Sequence, residues 1–195
     1  FFVDDPGQKN TDQFLFRRAR TILEGSLTRF IDFKIMPDFA GSSVQLFDAY
    51  VDIKPFDTYR GWGKLRGGKF KTPVGCERME SATATALVER GAPTNLVPNR
   101  DIGIQVWGTP WSGTLLYELG VFDGAPDLGN INGNLGDDFT FGGRVFAQPF
   151  ATWPTEGSDL SPFRGLGIGV AGSWGDVEGS VSSTDLPAYR SFGQA

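Results

Sequence analysis

Apolar and polar side chains alternate at period two through most of the chain, the spacing of β-strands with one face apolar and one polar. Arg18, Arg20, Ile22 and Glu24 share one face, with Ala19, Thr21 and Leu23 on the other. Residues 31–38 separate Ile31, Phe33 and Ile35 from Asp32, Lys34, Met36 and Asp38, and the next run sets Phe47, Ala49, Val51 and Ile53 against Leu46, Asp48, Tyr50, Asp52 and Lys54. The same alternation returns around Ile102, Ile104 and Val106, around Leu115, Tyr117, Leu119 and Val121, and around Phe139, Phe141 and Val145. In the last run Leu166, Ile168 and Val170 stand opposite Gly165, Gly167, Gly169 and Ala171, a face too small to fill a core. With RGGKFKTPVG as the fourth, the pattern predicts eight strands, none apolar on both faces and none replaced by an amphipathic helix.

The links between these runs alternate short and long. Those at residues 28–29, 41–43 and 109–113 (TPWSG) are tight, 56–62 is modest, and 73–100 and 123–138 are long. Short turns on one rim and longer loops on the other are the rhythm of an outer-membrane barrel. With 73–100 outside, 28–29, 56–62 and 109–113 fall on the periplasmic rim and 41–43 and 123–138 outside; only 150–163 is longer than its rim predicts. The 73–100 link is far longer than a hairpin needs and carries charges among small residues, with Leu87 and Val88 as an apolar anchor and ATATAL as a candidate helical turn. A soluble sandwich would also alternate, with its charged rows in water, so alternation alone leaves both architectures open.

Composition changes the picture in one respect. Hydrophobic residues make up 39% of the 195 residues, and no apolar run approaches the roughly 18 residues of a spanning helix. A spanning strand needs only alternate apolar positions, so this excludes helical membrane proteins and not barrels. The 27 glycines and 13% aromatics suit twisted strands and interfacial girdles. A net charge of −5 gives no support for nucleic-acid binding. The chain begins at Phe1 without a signal segment and reads as a processed chain or a fragment.

GGKFKTPVG followed by ALVERGAPTNLVPNRDIGIQVWG resembles the phosphate-selective porin O and P family of Gram-negative outer-membrane β-barrels. In that family a Gly-x-Phe-Lys-x-Pro-x-Gly strand end leads into a loop with Glu-Arg, and Pro-x-Arg-Asn-Ile-Gly opens the next strand. Here Asp101 stands where Asn is commoner and Val74 where Phe is commoner. FRRARTILEGSL, IDFKIMPDFAG and VQLFDAYVDIKPF are similar to the family's first strands, the resemblance covers residues 14–147, and LPAYRSFGQA looks like a family loop. It implies an all-β, antiparallel transmembrane barrel in the outer membrane, of which this chain is an incomplete part, roughly half of about 16 strands. It also implies a homotrimer, contact with outer-membrane lipid, and passage of small anions or hydrophilic solutes. The alternative, an eight-stranded barrel, would be filled by its own side chains.

The basic set on the polar face is Arg18, Arg20, Lys34, Lys54, Lys69, Lys71 and Arg144, with the register near Lys69 and Lys71 open because Arg66 and Phe70 lie on their opposite face. Rings of such bases select anions. Against them stand Glu24, Asp32, Asp38, Asp48, Asp52 and Glu118, and cross-strand ion pairs account for so balanced a mixture at least as well. The sequence therefore points to general passage of small hydrophilic solutes with at most mild anion bias. Glu77, Glu80, Glu89, Arg90 and Arg100 either line a constriction, if the 73–100 loop folds inward as the resemblance suggests, or decorate a solvated loop.

Other chemistries find little footing. Without histidine there is no Ser-His-Asp triad, and Asp48 and Asp52 beside Lys54 read as ion-pair partners before they read as a glycosidase pair. Cys76 is the single cysteine, so neither a disulfide nor a zinc site is expected, and no cofactor is implied. DLGNINGNLGDD fails as an EF-hand, since Leu128 and Phe139 occupy the required acidic positions. Two other functions compete with a porin. One is a secreted β-sandwich binding carbohydrate or a surface partner through Trp107, Trp111 and Trp153, and the other a barrel serving as a structural component of an envelope assembly.

Overall fold

The structure, a computed structural model, describes residues 18–40, 43–55, 61–80, 91, 94, 97–124, 139–152 and 161–175. Eight strands form one antiparallel sheet: β1 Leu23–Thr28, β2 Ile31–Asp38, β3 Gln45–Ile53, β4 Lys64–Lys71, β5 Arg100–Gly108, β6 Leu115–Phe122, β7 Thr140–Ala147 and β8 Ile168–Trp174. Each strand pairs with its neighbours in sequence, so the sheet is an up-and-down meander. Arg20 extends the β1 edge by an isolated bridge to Asp38. β1 and β8 close the order at its two ends and do not pair with each other among the described residues, so the closed eight-stranded barrel is not formed by them.

The tight links at 28–29 and 109–113 lie within a residue of where the pattern placed them, and residues 41 and 42 of the third lie outside the described residues. Arg29 and Phe30 turn between β1 and β2. TPWSG makes a 3-10 turn at Trp111–Gly113 in which Trp111, Ser112 and Gly113 all have positive φ. The 72–99 link contains a helical turn that the sequence did not mark, α1 at Cys76–Met79, while the ATATAL stretch and most of 123–138 lie outside the described residues. Gly68 is obligatory: its φ is +130°, and a Cβ there would stand 2.2 Å from the Ala49 carbonyl oxygen.

The register aligns side chains in continuous rows across the sheet. One runs Phe33, Val51, Gly67, Ile104, Val121, Phe141, Trp174, and its neighbour runs Asp32, Asp52, Arg66, Gln105, Gly120, Gly142, Ser173. The first kind of row is apolar and exposed: Ile104 and Leu119 are about three-fifths exposed, and Ile168 and Val170 are 75% and 73%. The second kind holds the buried groups, among them Asp38, Asp48, Asp52, Asp101, Gln105 and Glu118. This inverts the arrangement of a water-soluble sheet, in which apolar faces are covered and charges are wet. Water penalises such an apolar surface at ~25 cal/mol per Å², and hydrocarbon removes that penalty. A sandwich would lay a second sheet over the apolar rows. Among the described residues there is one sheet only and those rows stay open.

Candidate functional site

The polar face carries six ion pairs among the described residues, and each of the six acids noted in the sequence has its own base. Arg20 and Asp38 meet at 2.7 Å, Lys34 and Glu24 at 3.1 Å, Lys54 and Asp32 at 2.8 Å, and Arg66 and Asp52 at 2.8 Å. Arg100 and Asp48 meet at 2.6 Å and Arg144 and Glu118 at 2.5 Å. Several pairs follow from strand register, since Glu24 lies across from Lys34 and Glu118 from Arg144. Arg66 forms a fork, its Nε and Nη2 each donating to one oxygen of Asp52 at 2.8 Å. Its guanidinium also lies 4.0 Å from the centre of the Tyr50 ring and 5.1 Å from that of Trp107, whose indole N–H donates to Asp52 at 3.3 Å. Arg20 and Arg100 share the Phe47 ring at 4.2 and 4.8 Å. These cations are held by carboxylates and aromatic faces together.

Register settles the facing left open around β4. Arg66 lies across from Asp52 and Gln105, on the polar face, which the sequence reading had not assigned to it. Lys69 lies across from Ala49 and Ile102, in an apolar row, and is corrected out of the polar-face set. The Gly67-Gly68 pair carries no side chains that could fix the phase from sequence. Lys71 turns to the loop, its Nζ donating to the carbonyls of Met79 and Glu80 at 3.1 and 2.9 Å. Arg18 is exposed at the start of the described chain.

The loop after β4 is tied at its base. Thr72 donates from its backbone and hydroxyl to the Asn99 carbonyl at 2.9 and 3.0 Å. The Glu77 carboxylate accepts the Gly91 N–H at 2.9 Å and the Thr94 hydroxyl at 2.7 Å, while Arg78 donates to the Thr94 carbonyl at 2.5 Å. Val97 packs on Gly75, where an added Cβ would stand 2.9 Å from its Cγ2. Of the loop charges proposed for a constriction, Glu77 belongs to this clasp, Arg100 is buried against Asp48, Glu80 is exposed, and Glu89 and Arg90 lie outside the described residues.

The few buried apolar side chains, Met36, Phe70, Val74 and Phe122, contribute to the polar side of the sheet and to the segment leaving β4. Phe70 and Phe122 meet edge to face with ring centres 5.5 Å apart, and Tyr50 continues the series 6.1 Å from Phe70. Pro73, fully buried, reaches β7: a Cβ at Gly142 would lie 3.6 Å from its Cδ. The chain leaving β4 therefore lies over the polar face across the width of β5 and β6. The sequence offered one signal for this seat, glycines at 103, 120 and 142 in the phase of the polar face.

Of the tryptophans weighed for a binding surface, Trp107 is engaged with Asp52, Lys64 and Arg66, Trp111 is exposed beside Trp62, and Trp153 lies outside the described residues. No group of three or more His, Cys, Asp or Glu suited to a metal ion occurs among the described residues. A comparison with curated proteins finds no match. The family model for phosphate-selective porin O and P matches residues 2–178. An open apolar face, a charged ion-paired face and this match over most of the chain lead to one conclusion: the chain belongs to the phosphate-selective porin O and P family, whose members are outer-membrane porins.

Proposed function

We propose that the polar face lines a water-filled passage through which small hydrophilic solutes and ions move down their gradients, with weak preference between anions and cations. The observation that carries this is the one-to-one pairing of Glu24, Asp32, Asp38, Asp48, Asp52 and Glu118 with Lys34, Lys54, Arg20, Arg100, Arg66 and Arg144. A ring of bases selects anions when its charge is uncompensated. A base with a carboxylate about 3 Å away presents a dipole to a passing ion, and that field decays within the ~8 Å Debye length of physiological salt. The apolar rows face lipid, and the chain leaving β4 at 72–74, where Pro73 lies over the polar face, narrows the lumen. The family is one of channels, and catalysis has no place in this reading. A homotrimer in outer-membrane lipid is part of the same proposal.

The test is single-channel recording in planar bilayers with a salt gradient and phosphate as competitor. Steady ohmic steps with a reversal potential near zero and little phosphate block are expected. The pair of Lys54 and Asp32, 13% and 34% exposed, then reports on the pairing: Lys54→Gln shifts reversal toward cations and Asp32→Asn toward anions. Strong anion selectivity with block by phosphate would overturn the neutral-wall reading, and no steps from folded protein would overturn the channel.

A further inference from the structure

We propose that Phe122 is a positioning residue for the solute path: its ring is the seat on which the chain leaving β4 rests, and so sets how far that segment stands from the wall. This rests on the reading of the polar face as the lumen. Phe122 ends β6 with no exposed surface. Its ring spans three strands over glycines. A Cβ built at Gly103 of β5 would stand 2.6 Å from Cδ1, one at Gly120 of β6 would stand 2.9 Å from Cε2 and Cζ, and one at Gly142 of β7 would stand 3.2 Å from Cε2. Only a floor without side chains lets a ring lie that close to the backbone.

Above this floor Phe70 meets the ring edge on, and Pro73 closes over the Gly142 side, its Cδ 3.6 Å from the point a Cβ would occupy there. Proline fixes its own φ, and Thr72 ties the same turn to the Asn99 carbonyl, so the segment transmits the height of its seat with little slack. The apolar cluster of Phe70, Pro73 and Phe122 thus joins loop to wall, in contrast to the ion pairs, which join strand to strand. Removing the ring leaves the sheet's ladder intact and takes the support from under Pro73. Adding a side chain at Gly142 does the opposite and lifts ring and proline together.

Two readouts test this on the membrane-inserted protein, with folding checked by heat-modifiable gel mobility. First, in a Cys76→Ser background, a single cysteine at position 73 is timed for labelling by a water-soluble maleimide, with Phe122 kept and with Phe122→Ala. Slow labelling with the ring and faster labelling without it are expected, and equal rates in folded protein would overturn the seat. This readout needs no conduction, so its failure is separable from failure of the channel reading. Second, unitary conductance is compared among wild type, Phe122→Ala, Phe122→Met and Gly142→Val. Phe122→Ala and Gly142→Val are expected to change the conductance level, and Phe122→Met, which refills the socket, to restore it. Wild-type conductance in folded Phe122→Ala or, if that variant does not insert, in folded Gly142→Val would overturn the assignment.

Discussion

Replacing Leu119 by arginine puts a charge where the fold offers it no partner. Leu119 is the fifth residue of the eight in β6, on the apolar face, and 59% of it is exposed. Its neighbours across the ladders are Val106 and Gly143, and along its own strand Tyr117 and Val121 share its face. None is a carboxylate. In lipid a guanidinium there must either stay in hydrocarbon or pull water and headgroups inward, at a cost of roughly 2–4 kcal/mol near the midplane. At 1.4 kcal/mol per factor of ten, that weakens folding into the bilayer about 30- to 700-fold. The control is Ser173→Arg on the opposite face, in the row of Gln105, Gly120 and Gly142, where water reaches the added charge. Urea titration of folding into liposomes, followed by heat-modifiable mobility, measures both. An unaffected Leu119→Arg, or a Ser173→Arg that costs as much, would refute the assignment of faces.

The ion pairs differ in burial, and their loss should differ accordingly. Asp48→Ala leaves Arg100, at 7% exposure, without its carboxylate and should cost about 3–5 kcal/mol, whereas Glu24→Ala, from a pair 63% exposed on the acid side, should stay within ~1 kcal/mol in the same titration. Gly68→Ala combines a strained φ, worth about 1–3 kcal/mol, with a clash on the Ala49 carbonyl, so the folded fraction should fall sharply; normal insertion would contradict the β3–β4 register. Lys69→Gln should leave the reversal potential unchanged, because its row faces away from the passage; a shift as large as that of Lys54→Gln would return Lys69 to the lumen.

Strand number, alternation and the short links were legible because each follows from local pattern. Ile31, Phe33 and Ile35 can lie on one face only, whatever their neighbours. The phase of β4 was not legible, since Arg66, Lys69 and Lys71 are all basic and the two glycines between them are silent. Asp52 and Gln105 across the ladders supply it. The balance of acids and bases pointed to ion pairs, but the individual partnerships depend on register, as with Arg100, which reads as a loop charge and instead opens β5 against Asp48. The seat of Phe122 draws on three strands and the chain leaving β4, a non-local arrangement of which sequence shows only the glycines.

Site-directed spin labelling along β8 tests the central claim, an inverted sheet with lipid on its apolar rows and water on its polar ones, most directly. Single cysteines at 168–174 in a Cys76→Ser background, in protein reconstituted into bilayers, are compared for collisions with oxygen, which partitions into lipid, and with a water-soluble nickel chelate. β8 suits this because both of its faces are exposed and its polar-side residues, Gly169, Ala171 and Ser173, are small. Oxygen maxima at 168, 170, 172 and 174 with nickel maxima at 169, 171 and 173 are the predicted result; the opposite phase, or nickel access at every position, would contradict it.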